Sequence, residues 1–485
     1  MGTLREPSLH YGEDLLKDFL PPAVLREERL LIPFVEPGLS PLEDVSLEVE
    51  RLLEKSSEPG TPSLGHILNT LGPDALISLI LDDHTRPNIH TRLILPPLLA
   101  SIKRRGFAAK NLFLVIATGT HRPSHREELL QILGNEIFSE YADRIVVHDC
   151  RKNLSPVGRI SDGTMVRINK TAFCSNLLIA LTDMEFHYFT GIAGGPKSVI
   201  PGIGGKEIVN AEHVRMFGSC GFAPGVGSGS LEKNPVFQYK LECIRLIQER
   251  MRSRGDWLYS INAVVDGLGR LIFLNGGDIL GSFYRAIPPL RRTWTAVLKT
   301  PADVVIINAR HEGINLLQAG KAFNSAARAV RPGGRIVVLA PCPDGFGNDE
   351  FKDLMRISAD IFRKAGGQIT SNTIDEAITK TQCRILKGFK MGYQKPVDLL
   401  MTLRHAGWRH LYLLQDGLHR GEADEILPFM QVLDAAVAPP PRILSELISA
   451  WEGERPRYLI LDEPGLLFEV FEPYGTLGKP VICPS

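Results

Sequence analysis

Three short runs hold most of the residues able to carry acid–base or nucleophilic chemistry. Asp82-Asp83-His84-Thr85-Arg86-Pro87 follows the apolar run Leu76–Leu81, and Gly119-Thr120-His121-Arg122-Pro123 follows Leu112–Ile116. The third run extends from His187 to His213 and contains Gly191, Gly194, Gly195, Pro196, Lys197, Pro201, Gly202, Gly204 and Gly205. Imidazole ordinarily titrates near neutrality and serves as acid or base. An arginine grips a carboxylate through two parallel hydrogen bonds, and glycines let backbone N–H groups approach a phosphate. Plainer readings stand beside these. The first run also reads as a capped strand-to-helix turn with Pro87 at the helix start. A lone His121 reads equally as a hydrogen-bonded structural residue, and the third run as a glycine-rich connection with an incidental lysine. A Walker A loop fails twice, because Pro196 precedes Lys197 and Glu207 follows Lys206.

The elements that must position these residues alternate between strand and helix. Leu76–Leu81, Leu112–Ile116, Ile145–Val147 and Leu177–Leu181 are near-continuous apolar runs, the pattern of strands buried on both faces of a parallel sheet. A helix is expected from Ser124, with Glu127 completing a capping box. Residues 214–236 read as loop and Lys240–Arg254 as helix. A second series follows, with strand Val304–Asn308, helix Leu316–Val330, a helix-ending turn at Pro332-Gly333-Gly334, and strands Ile336–Leu339, Leu411–Leu414 and Tyr458–Leu461. Pro439-Pro440-Pro441 reads as a stiff connector. Such alternation implies an α/β protein with two domains, each a mainly parallel sheet flanked by helices. The boundary is placed near Pro288-Pro289, giving residues 1–289 for a cofactor-binding and catalytic domain and 290–485 for a domain contributing substrate contacts. The active site is expected in the cleft between them. In open α/β sheets ligands bind outside the carboxyl ends of the strands, where the first two runs stand.

Bulk properties narrow the function. Across 485 residues Lys plus Arg and Asp plus Glu number 55 each, so no net field recruits nucleic acid or an anionic membrane. Seven scattered cysteines without a CxxC pair signal neither a disulfide framework nor a thiolate zinc site. The N-terminus lacks a continuous apolar signal region and no apolar run reaches membrane-spanning length, so a cytoplasmic location is expected.

Asp83-His84-Thr85-Arg86-Pro87, Gly119-Thr120-His121-Arg122, the run from His187 to Gly202, His213 and Gln318-Ala319-Gly320-Lys321 occur in this order. Together they resemble the nickel-dependent lactate racemase family, whose homologues act on other 2-hydroxy acids. The likeness extends from Tyr11-Gly12 to Lys321. It implies a racemase or epimerase of a 2-hydroxy acid using nickel held by pyridinium-3,5-bisthiocarboxylic acid mononucleotide, with cofactor-biosynthesis and insertion enzymes as partners. By the same resemblance Lys197 tethers the nucleotide covalently, and Thr85, Gly194 and Gly195 contact it. His213 binds nickel, and His121 and His187 are acid and base on opposite sides of the substrate. Arg86, Gln318 and Lys321 bind substrate, with Asp83 beside them or behind them. The Cα–H of a hydroxycarboxylate is barely acidic. Hydride removal to a pyridinium carbon, with the hydroxyl proton leaving to a histidine, is the easier route. Imidazole suits nickel, while soft sulfur donors come from the cofactor.

The sequence departs from the family at Pro196, at His311-Glu312-Gly313 upstream of Gln318, and in having no placed counterpart of an aromatic over the cofactor, for which Tyr393 is the candidate. Two other classes remain open: a nucleotide- or methyl-donor-dependent transferase using the glycine-rich and Pro-Gly-Gly turns, and a non-catalytic homologue that keeps the cofactor pocket.

Overall fold

The computed structural model describes residues 8–12, 14–26, 29–36, 38–390, 392–462 and 465–470. The chain divides into two compact units. Residues 36–216 and 225–294 form the first; residues up to 35, 217–224 and from 295 onward form the second.

The first unit is built on a six-stranded sheet: β1 (Ile77–Asp82), β2 (Leu112–Ala117), β3 (Ile145–Val147), β4 (Leu177–Asp183), β5 (Trp257–Val265) and β6 (Leu271–Asp278). Their order across the sheet is β6-β5-β4-β1-β2-β3, parallel throughout except for β6. The apolar runs become strands because both faces are covered. Leu79, Leu81, Leu114, Ile116, Ile179 and Leu181 pack one face against Ile94, Leu95, Leu98 and Ile102 of helix α1 (Ile89–Arg104). The chain lays β1, β2 and β3 in one direction and returns to place β4 on the other side of β1. The strand order therefore reverses between β1 and β4, where α/β sheets open a crevice at their carboxyl ends. Helices α2 (Gly195–Val199), α3 (Lys206–Val214), α4 (Pro235–Arg252) and α5 (Ile279–Trp294) follow in the chain. α2 packs against β1 and β4, with α4 and α5 beside it.

The second unit carries a five-stranded parallel sheet of β7 (Ala302–Asn308), β8 (Val330–Leu339), β9 (Leu411–Gln415), β10 (Met430–Asp434) and β11 (Tyr458–Leu461), ordered β10-β9-β8-β7-β11. Helix α6 (Leu316–Ala329) connects β7 to β8 and is capped by the Asn315 side chain, which accepts from Gln318 N–H at 2.9 Å. Leu9, Leu16, Phe19, Leu20 and Val24 from the start of the chain join the core under Val304, Ile306 and Val337.

Four local expectations change. The helix expected from Ser124 starts two residues later, at Arg126, with His125 at the cap position. Its capping carboxylate is Glu128, which accepts from His125 N–H at 2.7 Å. The boundary at 289/290 falls inside α5, whose Pro288 and Pro289 lie within the helix, and the first residues of the chain belong to the second unit. Pro332–Gly334 does not end a helix: α6 stops at Ala329, and the turn lies within β8, where the register to β7 shifts and Gly333 takes φ +74°. Pro440 and Pro441 open a helix, Pro440–Ala450, because a proline in the first turn forgoes no helical hydrogen bond. Cys483 lies outside the described residues; the six described cysteines are free thiols. No helix among the described residues is long and apolar enough to cross a membrane.

Candidate active site

The three runs meet at the reversal of strand order in the first unit. Asp83, the residue after β1, is buried and accepts from three donors: His121 Nδ1 at 2.7 Å on one oxygen, and Thr85 N–H at 3.1 Å and Thr85 Oγ1 at 2.5 Å on the other. Burial alone would push its carboxyl up; the His121 and Thr85 hydrogen bonds outweigh that and hold it down to about 2. An ionised carboxylate only accepts, so His121 carries its proton on Nδ1 and presents the Nε2 lone pair. The His121 side chain is 41% exposed against 4% for Asp83, an exposed imidazole on a buried carboxylate. The loop bearing His121 is tied to the run after Lys197, since Gly119 N–H donates to Gly202 O at 2.8 Å.

His187 ends the first strand of a hairpin, Glu185–His187 paired with Gly191–Ala193, that follows β4. Its ring stacks on Tyr188 at 5.2 Å and meets Phe189 edge-on at 4.6 Å, and Thr190 N–H reaches its Nδ1 at a long 3.5 Å. The hairpin turns tightly because Gly191 takes φ +87°, and a Cβ there would lie 1.9 Å from Ser230 O. Arg86 Nη1 lies 3.2 Å from Glu185 Oε2, joining the first run to this hairpin.

Lys197 is part-buried on α2. Burial and then the Arg86 charge bring its ammonium down to about 8, with Glu185 opposing them. The glycines before it serve the protein's own packing. A Cβ on Gly194 would lie 2.3 Å from Met184 Sδ, and one on Gly195 2.9 Å from Ser260 Oγ; Gly195 N–H is given to Asn262 Oδ1 at 3.3 Å. They let α2 sit directly on the sheet, which places Lys197 over it, instead of leaving a vacant cradle.

His213, on α3, is buried, its Nδ1 2.8 Å from Val209 O and 3.2 Å from Glu212 Oε2, and its ring is 5.0 Å from that of Phe189. A carbonyl only accepts, so the His213 proton is on Nδ1 and Nε2 is the nitrogen that would bind a metal. No group of three or more His, Cys, Asp or Glu among the described residues forms a metal site by itself. The structure fits a tethered nucleotide that brings its own metal donors: a lysine with a depressed ammonium for the tether and an imidazole with its tautomer fixed.

Gln318 and Lys321 stand on α6 in the second unit. Lys321 Nζ contacts Glu312 Oε1 at 2.7 Å, so the departure at His311-Glu312-Gly313 supplies the carboxylate paired with this lysine. Tyr393 lies under Lys390 Nζ at 5.7 Å.

Two groups escaped the sequence reading. Asp183, at the end of β4, is pushed up by burial and by Glu185 and Asp82, against the lowering pull of His90 and Arg86. Lys240, fully buried on α4, pairs with buried Glu212 at 3.3 Å and donates to Thr190 Oγ1. A signal for Lys240 was present: it falls on the apolar stripe Val236, Cys243, Ile247 and Met251.

The profile of the lactate racemase N-terminal domain matches residues 24–223. The chain is 29% identical over 288 residues to a lactate racemase of Thermoanaerobacterium thermosaccharolyticum, covering 59% of this chain and 64% of the relative. It is also 29% identical over 296 residues to a lactate racemase of Lactiplantibacillus plantarum, covering 58% and 66%. The matched part thus spans just under two thirds of these curated relatives. In three dimensions the chain resembles the lactate racemase apoprotein of T. thermosaccharolyticum, with a TM-score of 0.72 and 21% identity over 95% of this chain and 99% of that one. A Thermotoga maritima protein matches at TM-score 0.59 and 16% identity, over 90% and 100% of the two chains. These structural likenesses carry the α/β fold.

Proposed function

We propose that this chain is an isomerase of the lactate racemase kind, inverting C2 of a 2-hydroxy acid at the site on its first unit; the racemase profile over residues 24–223 and the 29% identity to two lactate racemases support the reading. The observation that carries the reading is the His121–Asp83 pair, an exposed imidazole on a buried carboxylate, standing at the same strand-order reversal as the Lys197 helix.

Lys197 would tether the nickel-pincer nucleotide and His213 would donate to its nickel, with Thr85 and the close-packed Gly194 and Gly195 shaping the place of the tether. When bound, that group supplies a hydride-accepting pyridinium carbon and the sulfur donors for the metal. The chain's residues do the rest. His121, with Nε2 as acceptor, takes the hydroxyl proton of one enantiomer. His187 is the opposing acid–base group: in its imidazolium form it gives a proton to the substrate oxygen and is left neutral. Microscopic reversal exchanges the two roles for the mirror-image substrate. Arg86 is the carboxylate-binding cation of the first unit, and its Glu185 partner yields to substrate. Gln318 and Lys321 contribute further substrate contacts, Lys321 after release from Glu312. Asp83 orients His121 and does not itself touch substrate. The enzymes that make and insert the nucleotide are partners on this reading.

The test is intact-mass measurement after co-expression with the cofactor-making enzymes, followed by a panel of chiral 2-hydroxy acids. We expect an adduct that is lost in Lys197→Ala. His121→Asn and His187→Asn should keep the adduct and lose inversion by at least ~10²-fold, the scale of acid–base catalysis. A wild-type protein that takes up no adduct on Lys197 would refute the proposal. So would a loaded His121→Asn protein racemising at the wild-type rate.

A further inference from the structure

Behind His213 lies a buried chain of charge that the proposed reaction does not use. Lys240 and Glu212 each have side chains only 1% exposed, with Lys240 Nζ 3.3 Å from Glu212 Oε1. The other Glu212 oxygen lies 3.2 Å from His213 Nδ1. Neither contact has hydrogen-bond geometry, and both Glu212 oxygens lack a hydrogen-bond donor; the Nδ1 hydrogen bond itself goes to Val209 O at 2.8 Å. Lys240 also donates to Thr190 Oγ1, and the Thr190 N–H faces His187. Phe189 bridges the ends of this chain, its ring 4.6 Å from His187 and 5.0 Å from His213.

A buried ion pair is a poor way to stabilise a core, since apolar residues of equal volume pack there as well or better. Such a pair is worth keeping where it orients something. An imidazole that binds metal through one nitrogen is held by an acceptor on the other, and a carboxylate there strengthens the metal-binding nitrogen. We propose that Lys240 and Glu212 are positioning residues for His213: the ammonium fixes the carboxylate, and the carboxylate with the Val209 carbonyl keeps the ring proton on Nδ1 and the lone pair on Nε2. This rests on reading His213 as the protein's donor to nickel. Through Thr190 the same ammonium braces the turn that carries His187.

The test uses Lys240→Met combined with Glu212→Gln, which removes both charges, keeps both volumes and leaves no stranded ion. Lys240→Met alone strands the Glu212 charge; should it fail to fold, the double variant decides. Two forms of the protein are measured. In the cofactor-free protein, long-range ¹H–¹⁵N spectra give the His213 tautomer and the exchange of its ring proton with solvent, the signal identified by loss in His213→Gln. In the loaded protein, nickel release to EDTA is followed beside the Lys197 adduct mass. We expect the Nδ1–H tautomer, fixed by the Val209 carbonyl, in both proteins, with the His213 ring proton exchanging with solvent on the order of tenfold faster in the double variant. Nickel should leave the double variant 10- to 100-fold faster, the usual cost of losing an outer carboxylate, with the adduct intact. A His213 ring proton as protected in the double variant as in the wild type, or nickel release within twofold of wild type, would overturn the proposal. If the wild type carries no adduct at all, it is the reading of the site that fails, and the exchange of the His213 ring proton alone then judges Lys240 and Glu212.

Discussion

Asp83 stays ionised down to about pH 2 because the His121 and Thr85 hydrogen bonds outweigh its burial, so over the working range it is a fixed acceptor for His121 Nδ1. In Asp83→Asn the amide can turn its N–H toward that nitrogen and select the wrong tautomer. We expect kcat to fall on the order of 10³–10⁴-fold, the scale seen when an orienting carboxylate is lost, with the Lys197 adduct and the circular dichroism spectrum unchanged. Lys197 gives a pH prediction. With its ammonium at about 8, about half of the amine is neutral at pH 8, against roughly one part in 300 for an ordinary lysine. Acylation of Lys197 in the cofactor-free protein, followed by peptide mass, should rise with pH and reach half its plateau rate near pH 8; a midpoint above 10 would contradict the assigned environment. The runs that hold Asp83 and His121 are conspicuous in the sequence because each is a glycine- or proline-marked turn after an apolar strand, whereas the roles proposed for His187, Lys197 and His213 come from the family resemblance. Lys240 shows its burial by falling on an apolar helix stripe, but not its partner, since Glu212 lies 28 residues earlier on another helix.

The element that holds His187 is a hairpin too tight for a side chain at its turn. Gly191→Ala would force φ +87° on a residue with a Cβ and drive that Cβ to 1.9 Å from Ser230 O. We expect at least ~2–3 kcal/mol of destabilisation, from strain and overlap together, read as a lower thermal midpoint, and loss of inversion even where the protein stays folded. The strands were legible because burial on both faces writes an unbroken apolar run, as in Leu177–Leu181. Helix ends were less so. Ser124 and His125 both precede an acidic pair, and only the hydrogen bond from His125 N–H to Glu128 decides between them. Pro288 and Pro289 look like a linker, yet they stand within α5.

At the scale of the whole molecule, local patterns could not show that the chain's beginning belongs to its second unit. Leu31 N–H donates to Tyr458 O at 2.7 Å and Tyr458 N–H to Arg29 O at 2.8 Å, while His10 Nδ1 meets Asp462 Oδ2 at 2.6 Å. No residue spacing announces pairings more than 400 positions apart. Removing residues 1–35 should therefore speed hydrogen exchange in β7 and β11 at least tenfold and leave β1, β2 and β4 as protected as before. Equal loss of protection in both sheets would contradict the division into units.

That same pairing sets an order of events during synthesis. The first unit has all its strands once residue 294 has left the ribosome. The apolar side chains of Leu9, Phe19 and Leu20 emerge long before Tyr458 and Ile460, and must wait for them. At roughly 5–20 residues per second the wait lasts tens of seconds. Throughout it that segment is a greasy, unclaimed ribbon, the part of the nascent protein that a chaperone would be expected to grasp.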